Sequence, residues 1–369
     1  MIPNNSPYYF NNTYQINSPS LLVYPTIIED NIDNALKLIT GKDSFLCPHV
    51  KTVKSKEPLY MAMQKGIRSF KCSTMAEAEL LGIVGAEHAL ICYQMTEDKM
   101  ESLAAIKSSY KGTSFATVVD NFDSAKMLFD HFNGTPIEVY IDVDAGMHRT
   151  GLSIYKVLDL VEKIKQLKDL TIEGIHCYDG HVHDSDEVVR KKDTEEIFQN
   201  LLELKDNVQT SLGRKLRLVL GGSPSFPFYA RKSNVLCSPG TFFLWDYGYG
   251  KAFPEIPFKP AALILTRIIS KPTSRTLCFD LGYKAVASDP PQPRLSFPDI
   301  PKYEILSQYE EHLVISVPDA SVYEVGEKFL AIPFHICPTV NLYDELVIIK
   351  NRKFEGFWEV PARKRTLAR

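Results

Sequence analysis

The chain has 369 residues, 44% of them hydrophobic, and a formal charge of −3 at pH 7. That length can bury the cores of two domains, and a near-neutral charge excludes a surface built for nucleic acid or an anionic membrane, leaving a small molecule as the expected partner. The seven cysteines, at 47, 72, 92, 177, 237, 278 and 337, are scattered and never spaced as Cys-x-x-Cys, which argues against a disulfide framework or zinc ribbon and for a reducing compartment.

The stretch from Met1 to Phe10 has neither the basic nor the apolar segment of a leader. No later run approaches the roughly 18 apolar residues that span a bilayer, so a soluble, cytoplasmic protein is expected. From about residue 26 to about 250, short apolar runs alternate with helical patterns. The runs predict strands at Ser44–Pro48, Ser69–Ser73, His88–Tyr93, Ser114–Val119, Ile137–Val143, Leu170–Tyr178, Leu216–Leu220 and Asn234–Ser238. Helical spacing of apolar residues predicts helices at Glu57–Lys65, Met75–Val84, Met95–Ser109, Asn121–Phe132, Ser153–Leu167 and Asp184–Ser211. Ser55 is the expected N-cap of the first, and Gly66 and Gly134 are expected stop signals.

Eight strands alternating with helices over this span fit an α/β fold, a closed (β/α)8 TIM barrel, with a doubly wound open sheet as runner-up. After residue 251 the pattern changes to strand-like runs at Leu263–Ile269, Leu277–Phe279, His312–Val317, Lys328–Ile332 and Glu345–Lys350, separated by turns and proline-rich loops. These predict a mostly antiparallel β domain. The expected domains are thus a barrel over 26–250 and a β domain over 1–25 and 251–369.

In such a barrel the carboxyl ends of the strands converge on one mouth, where chemistry is placed. Strand one ends in His49 and Lys51. A lysine held there, partly desolvated beside Lys54 and Lys56, is a candidate amine nucleophile; a lysine-rich helix start facing water is the alternative. Strand five runs on through Asp142, Asp144 and Arg149 to Gly151, and strand six through His176 and Tyr178 to His181 and His183. Strand seven ends in Gly221, Gly222 and Ser223, and strand eight in Ser238, Pro239, Gly240 and Thr241. Small residues with backbone amides after strands seven and eight suit a phosphate, and a lysine facing a phosphate cradle suggests pyridoxal 5′-phosphate. Alternatives stand beside each piece: an ordinary turn at Gly221–Ser223, an Arg149 paired with Asp142 or Asp144, a core aromatic at Tyr178, and metal ligation by the histidines at 176, 181 and 183. Near the end of the chain, His335 and Cys337 stand at i and i+2. On an extended segment both would point to one face and could hold one Zn²⁺, with open positions for water and substrate; a buried cysteine and a hydrogen-bonded histidine in a strand is the alternative.

Pro48-His-Val-Lys51-Thr52, Asp142-Val-Asp144-x-Gly146-x-x-Arg149-x-Gly151, Tyr178-x-Gly180-His181, Gly221-Gly-Ser223, Pro239-Gly240 and His335-x-Cys337-Pro-Thr-x-Asn341 together resemble the D-threonine aldolase/D-serine dehydratase family, whose members are pyridoxal-phosphate enzymes related to alanine racemase. The resemblance spans nearly the whole chain in order. It implies an alanine racemase-like barrel plus β domain, Lys51 as the Schiff-base lysine and His49, Arg149, Tyr178, Gly221, Gly222, Ser223, Gly240 and Thr241 around the cofactor. It also implies a divalent metal on His335 and Cys337 (zinc, with manganese or magnesium as alternatives) and a homodimer. The chain departs from the family at Cys47, where arginine is usual, at Val53, where histidine is usual, and in Ser18-Pro19-Ser20, where an aspartate usually stands shortly before the proline.

The implied activity is a lyase acting on D-β-hydroxy amino acids, by dehydration of D-serine or D-3-hydroxyaspartate or by aldol cleavage of D-threonine. The cysteine at 337 favours dehydration. An alanine racemase-like racemase is the alternative, and it needs no metal. A non-catalytic cofactor-binding protein accounts poorly for a second domain.

Overall fold

A computed structural model describes residues 6–11 and 16–365. The segments 1–5, 12–15 and 366–369 of the expected β domain lie outside the described residues. Asp33–Lys51 and Leu59–Gly240 form one compact unit; the other contains Thr52–Pro58, Thr241–Arg363 and the described residues up to Ile32.

The first unit is a parallel barrel. Its strands are Phe45–Leu46, Ser69–Cys72, His88–Ile91, Ser114–Val119, Ile137–Asp144, Leu170–Cys177, Arg217–Leu220 and Val235–Cys237, numbered one to eight below. They pair in the order one, eight, seven, six, five, four, three, two. Strand one returns to strand two through a single parallel bridge, His49 to Lys71, with the Lys71 amide donating to the Pro48 carbonyl at 2.9 Å. Strands covered on both faces read as short, nearly continuous apolar runs, and Leu90, Ala116, Val118, Tyr140 and Val219 accordingly pack as one buried cluster. A fully buried side chain of this kind contributes about 1.5–3 kcal/mol, so the barrel interior is a packed core and the chemistry is left to its rim.

Local signals set the surrounding helices. Thr74 and Glu77 form a reciprocal capping box at the start of Met75–Val84, which ends on left-handed Gly85. Asp186 caps Glu187–Leu212 by accepting from the Val188 amide. Gly66 and Gly134 have φ of 92° and 82°, as stop signals require. Ser55 is not the expected cap: it precedes Lys56–Gln64, but its hydroxyl donates to the Val53 carbonyl at 3.0 Å. An unexpected helix, Pro25–Leu38, begins on a proline that tolerates the first turn and buries Ile28, Ile32 and Ala35 at helical spacing.

The second unit is a mixed β structure. Ala262–Thr273 pairs antiparallel with Ser20–Val23, Thr276–Phe279 and Lys328–Pro333, while Ser20–Val23 pairs parallel with Glu345–Lys350. Leu22, Leu263, Leu265, Leu330, Val347 and Ile349 belong to its core cluster. Among the described residues, no helix is long and apolar enough to cross a membrane.

Candidate active site

The barrel closes on the residues that carry Lys51. With the Pro48 carbonyl taken by strand two, His49 turns inward and is buried. Its Nδ1 accepts from the Lys51 amide at 3.2 Å, so its Nε2 carries the proton and donates to Ser73 Oγ at 2.9 Å. Ser73 is itself held, since Glu77 of the capping box accepts from its amide at 2.8 Å. His49 therefore sets the turn Val50–Thr52 on which Lys51 rides. The lysines expected to flank Lys51 do not both do so. Lys54 has φ 52°, is buried, and donates from Nζ to the Ala362 carbonyl at 3.3 Å.

Another lysine takes that place. Lys71, at the rim of strand two, is 2% exposed and lines a cavity of about 70 Å³ together with His49, Lys51, Arg149, His176 and Tyr178. Its Nζ lies 2.8 Å from Ser238 Oγ and 3.3 Å from His176 Nε2. Burial pulls its ammonium below the ordinary lysine range, and the charge on Lys51 adds to that. The sequence reading placed strand two correctly and passed over this residue; the available signal was a charge between Phe70 and Cys72 in a strand otherwise made for burial.

Asp142 and His176 form a buried pair, Oδ1 to Nδ1, at 2.7 Å. Asp142 Oδ2 also accepts from Gln94 at 3.0 Å and from Thr150 at 3.2 Å. Asp144 binds its own loop, accepting from the amides of Gly146 and His148 and from the His148 ring. Arg149 thus pairs with neither carboxylate among its recorded contacts, and its guanidinium lies 5.3 Å from the centre of the Tyr178 ring. A Cβ on Gly146 would come within 2.8 Å of His181 Nε2, which explains the glycine, and His181 Nδ1 is buried without a hydrogen-bond partner. Since His176 is held by Asp142 and Lys71, and His183 is exposed, these histidines do not gather as metal ligands.

The turn after strand seven differs from the expected cradle. The Gly222 amide donates to Asp179 Oδ1 at 3.1 Å and to Ser225 Oγ at 3.2 Å, and the Gly221 amide donates to the Cys177 carbonyl at 3.3 Å. Buried Asp179, absent from the sequence reading, ties strand six to this turn, and its burial raises its carboxyl pKa. Gly222 is needed for space: a Cβ there would lie 3.1 Å from the Tyr178 ring. Ser223 and Gly240 remain at the rim. The donor set fits an anionic cofactor, with Lys51, Lys71 and Arg149 around one aromatic ring and a glycine where a side chain would crowd that ring. A larger cavity of about 740 Å³ opens at the opposite, amino-terminal end, around Phe45, Ser69 and Arg217, away from the end where barrels place catalytic groups.

In the second unit, His335 and Cys337 do not lie on one extended segment. His335 is the extended N-cap of the short helix Ile336–Val340, and Cys337 falls in its first turn. Pro338 follows within that turn, where a missing N–H costs no helical bond. Asp289 Oδ2 lies 2.6 Å from His335 Nδ1, so a metal on this ring would have to sit at Nε2. Cys337 Sγ lies 3.1 Å from the Thr52 hydroxyl and 3.6 Å from that of Thr241. Among the described residues, no group of three or more His, Cys, Asp or Glu is poised around a metal. An imidazole and a thiol with hydroxyl neighbours nonetheless suit a two-donor, open site for a divalent ion.

Known proteins place this architecture. The family model "Alanine racemase, N-terminal domain" matches residues 25–246, and "Putative serine dehydratase domain" matches 261–349. The D-threonine aldolase of Arthrobacter sp is 24% identical over 364 residues, covering 95% of this chain and 93% of that protein. The 3-hydroxy-D-aspartate aldolase of Paracoccus denitrificans is 26% identical over 306 residues, covering 79% of this chain and 78% of that one. In fold, the crystal structure of D-threonine aldolase from Filomicrobium marinum superposes with a TM-score of 0.84 at 22% identity, covering 94% of this chain and 95% of that one. With the family model matched across the whole barrel, the chain belongs to the alanine racemase N-terminal domain family.

Proposed function

We propose that the protein is a pyridoxal 5′-phosphate- and metal-dependent lyase that dehydrates a D-β-hydroxy amino acid, with D-serine and D-3-hydroxyaspartate as the leading substrates and aldol cleavage of D-threonine as the alternative outcome. The observation that carries it is the barrel mouth, where the Lys51 and Lys71 ammonium groups and the Arg149 guanidinium lie 5.7, 5.5 and 5.3 Å from the centre of the Tyr178 ring. Lys51, His49, Arg149, Tyr178, Ser223, Gly240 and Thr241 would hold the cofactor, and His335 Nε2 and Cys337 Sγ would hold zinc, or manganese or magnesium in its place. The cofactor supplies an electron sink for charge at the substrate's α-carbon, and the metal supplies a Lewis acid for its β-hydroxyl.

The chain's own groups do the rest. Lys51 Nζ would take the α-proton as general base. His49 keeps that lysine on its turn through the Lys51 amide, and the Tyr178 ring would form one wall of the ligand's cavity. Elimination yields ammonia and a 2-oxo acid; cleavage yields glycine and an aldehyde. Family relatives carry both kinds of name, aldolases and dehydratases, and Cys337 supports dehydration through the resemblance described above. One assay decides: purified protein is given D-serine, D-3-hydroxyaspartate and D-threonine, and 2-oxo acid and glycine are both measured. Oxo acid that disappears on chelation is the expected result. Racemised substrate without either product, unaffected by chelation, would replace the lyase with a racemase.

A further inference from the structure

The reading above gives Lys71 no task, and its burial is costly. An ammonium taken out of water is destabilising unless it is paired. Its hydrogen-bond partners, Ser238 and His176, include no carboxylate. Ser238 passes its own hydroxyl proton to the Gly221 carbonyl at 2.9 Å, so it accepts from Lys71. His176 presents Nε2 because Nδ1 is bound to Asp142. Asp142, bonded to His176, is already satisfied by His176, Gln94 and Thr150, and buried Asp179 acts on Lys71 through its charge alone, with no hydrogen bond between them. An ammonium has three N–H bonds; Ser238 takes one and His176, in its neutral form, a second, so at least one is left over. Around the same Tyr178 ring lie Lys71 Nζ at 5.5 Å, Lys51 Nζ at 5.7 Å and the Arg149 guanidinium at 5.3 Å. Three cations therefore surround one aromatic ring beside one cavity.

We propose that Lys71 is an anion-binding residue of the barrel mouth, using its third N–H, together with Arg149, to receive an anionic oxygen of the bound ligand. That oxygen belongs either to the cofactor or to the carboxylate of the amino acid. The inference rests on the reading of the mouth as a cofactor and substrate site. A fastening role for Lys71 between strands two, six and eight makes the opposite prediction for stability. A cation kept for a ligand is a net cost in the ligand-free protein, whereas a fastener stabilises it.

Lys71→Met keeps the length of the side chain and removes the charge. In the full chain freed of cofactor, its Tm is expected to match or exceed that of the unaltered protein. Titration with pyridoxal 5′-phosphate, followed by visible absorbance, and titration of the cofactor-loaded protein with D-alanine, which has no β-hydroxyl, then identify the source of the oxygen. A loss of roughly 10- to 100-fold in affinity is expected in at least one, the scale of one hydrogen bond to a charged group. A loss in the first assigns the oxygen to the cofactor, and a loss in the second alone assigns it to the carboxylate. A Tm lowered by more than about 5 °C, or two unchanged affinities, would overturn the role. An unaltered protein that fails to bind pyridoxal 5′-phosphate at all would overturn the reading of the mouth, and this inference with it.

Discussion

The barrel mouth and the His335–Cys337 corner are built in opposite ways. The mouth draws its groups from strands one, two, five, six and eight, and its hydrogen bonds join residues 105 and 167 positions apart at Lys71 and 34 apart at His176. The corner is one turn of chain, an N-cap and the second residue of a short helix, and His335 is 43% exposed at its side chain. Groups fixed by a packed barrel cannot shift without moving strands, so the mouth is preorganised. A donor pair at a half-exposed helix start depends on the few contacts that orient it. A barrel of this kind can thus keep one cofactor chemistry while the corner is retuned, which is consistent with relatives that carry both aldolase and dehydratase names.

Removing the group at the centre of the mouth should have the largest effect. Lys51→Ala is expected to lower lyase turnover by at least roughly 10³-fold, since in the proposed function it removes both the covalent anchor and the base. Borohydride reduction followed by peptide mapping should find the cofactor on Lys51 in the unaltered protein and on no peptide in the variant; an adduct on Lys54, Lys56 or Lys71 would relocate the site. At the corner, His335→Ala or Cys337→Ala should cut metal content measured by atomic absorption and lower turnover by roughly 10³-fold, the scale of a lost Lewis acid. Visible cofactor absorbance should persist in both, because neither residue is among those assigned to the cofactor. Full turnover after exhaustive chelation would remove the metal from the mechanism.

A smaller effect tests how the corner is oriented. Asp289 holds His335 at Nδ1, and such carboxylate partners typically set 10- to 100-fold in metal affinity. Asp289→Asn should therefore weaken zinc binding by roughly that factor in competition with a chelator, while His335→Ala loses far more. Equal losses in the two variants would make Asp289 a direct ligand, and no loss would make the contact incidental.

This contrast also explains what could be read from the chain. The eight strands were legible to within a residue or two because a doubly covered strand is a short apolar run between turn signals. Lys51, His49 and Arg149 were legible as strand-end positions. Lys71 was not, because its meaning lies in Ser238 and His176, which no local spacing connects to it. The same holds for Gly222, whose amide looked available until Asp179, 43 residues earlier, was found to occupy it. At the corner the identities of His335 and Cys337 were legible and their conformation was not. A His-x-Cys pair reads alike on a strand and on a helix start, and the hydrogen bonds that decide between them come from Asp246 and Asp289.

The smallest expected effect belongs to Asp246, which anchors the corner from below. Its carboxylate accepts from the Tyr249 amide at 2.9 Å and from the Ile336 amide at 3.1 Å, and it is 2% exposed. Burial raises its pKa to about 6 in spite of those two bonds. The unfolded value is near 3.9, so the folded chain holds this proton more tightly than the unfolded chain does. Its contribution to stability is then complete below about pH 4 and is lost as pH rises through about 6. Asp246→Asn cannot titrate. Between pH 5 and 7.5, urea denaturation of the variant should show a pH dependence smaller than that of the unaltered protein by on the order of 1 kcal/mol. Comparing the two proteins cancels the titration of all other groups. Identical pH dependence would mean that the Asp246 carboxyl stays charged throughout, with the two amide bonds outweighing its burial.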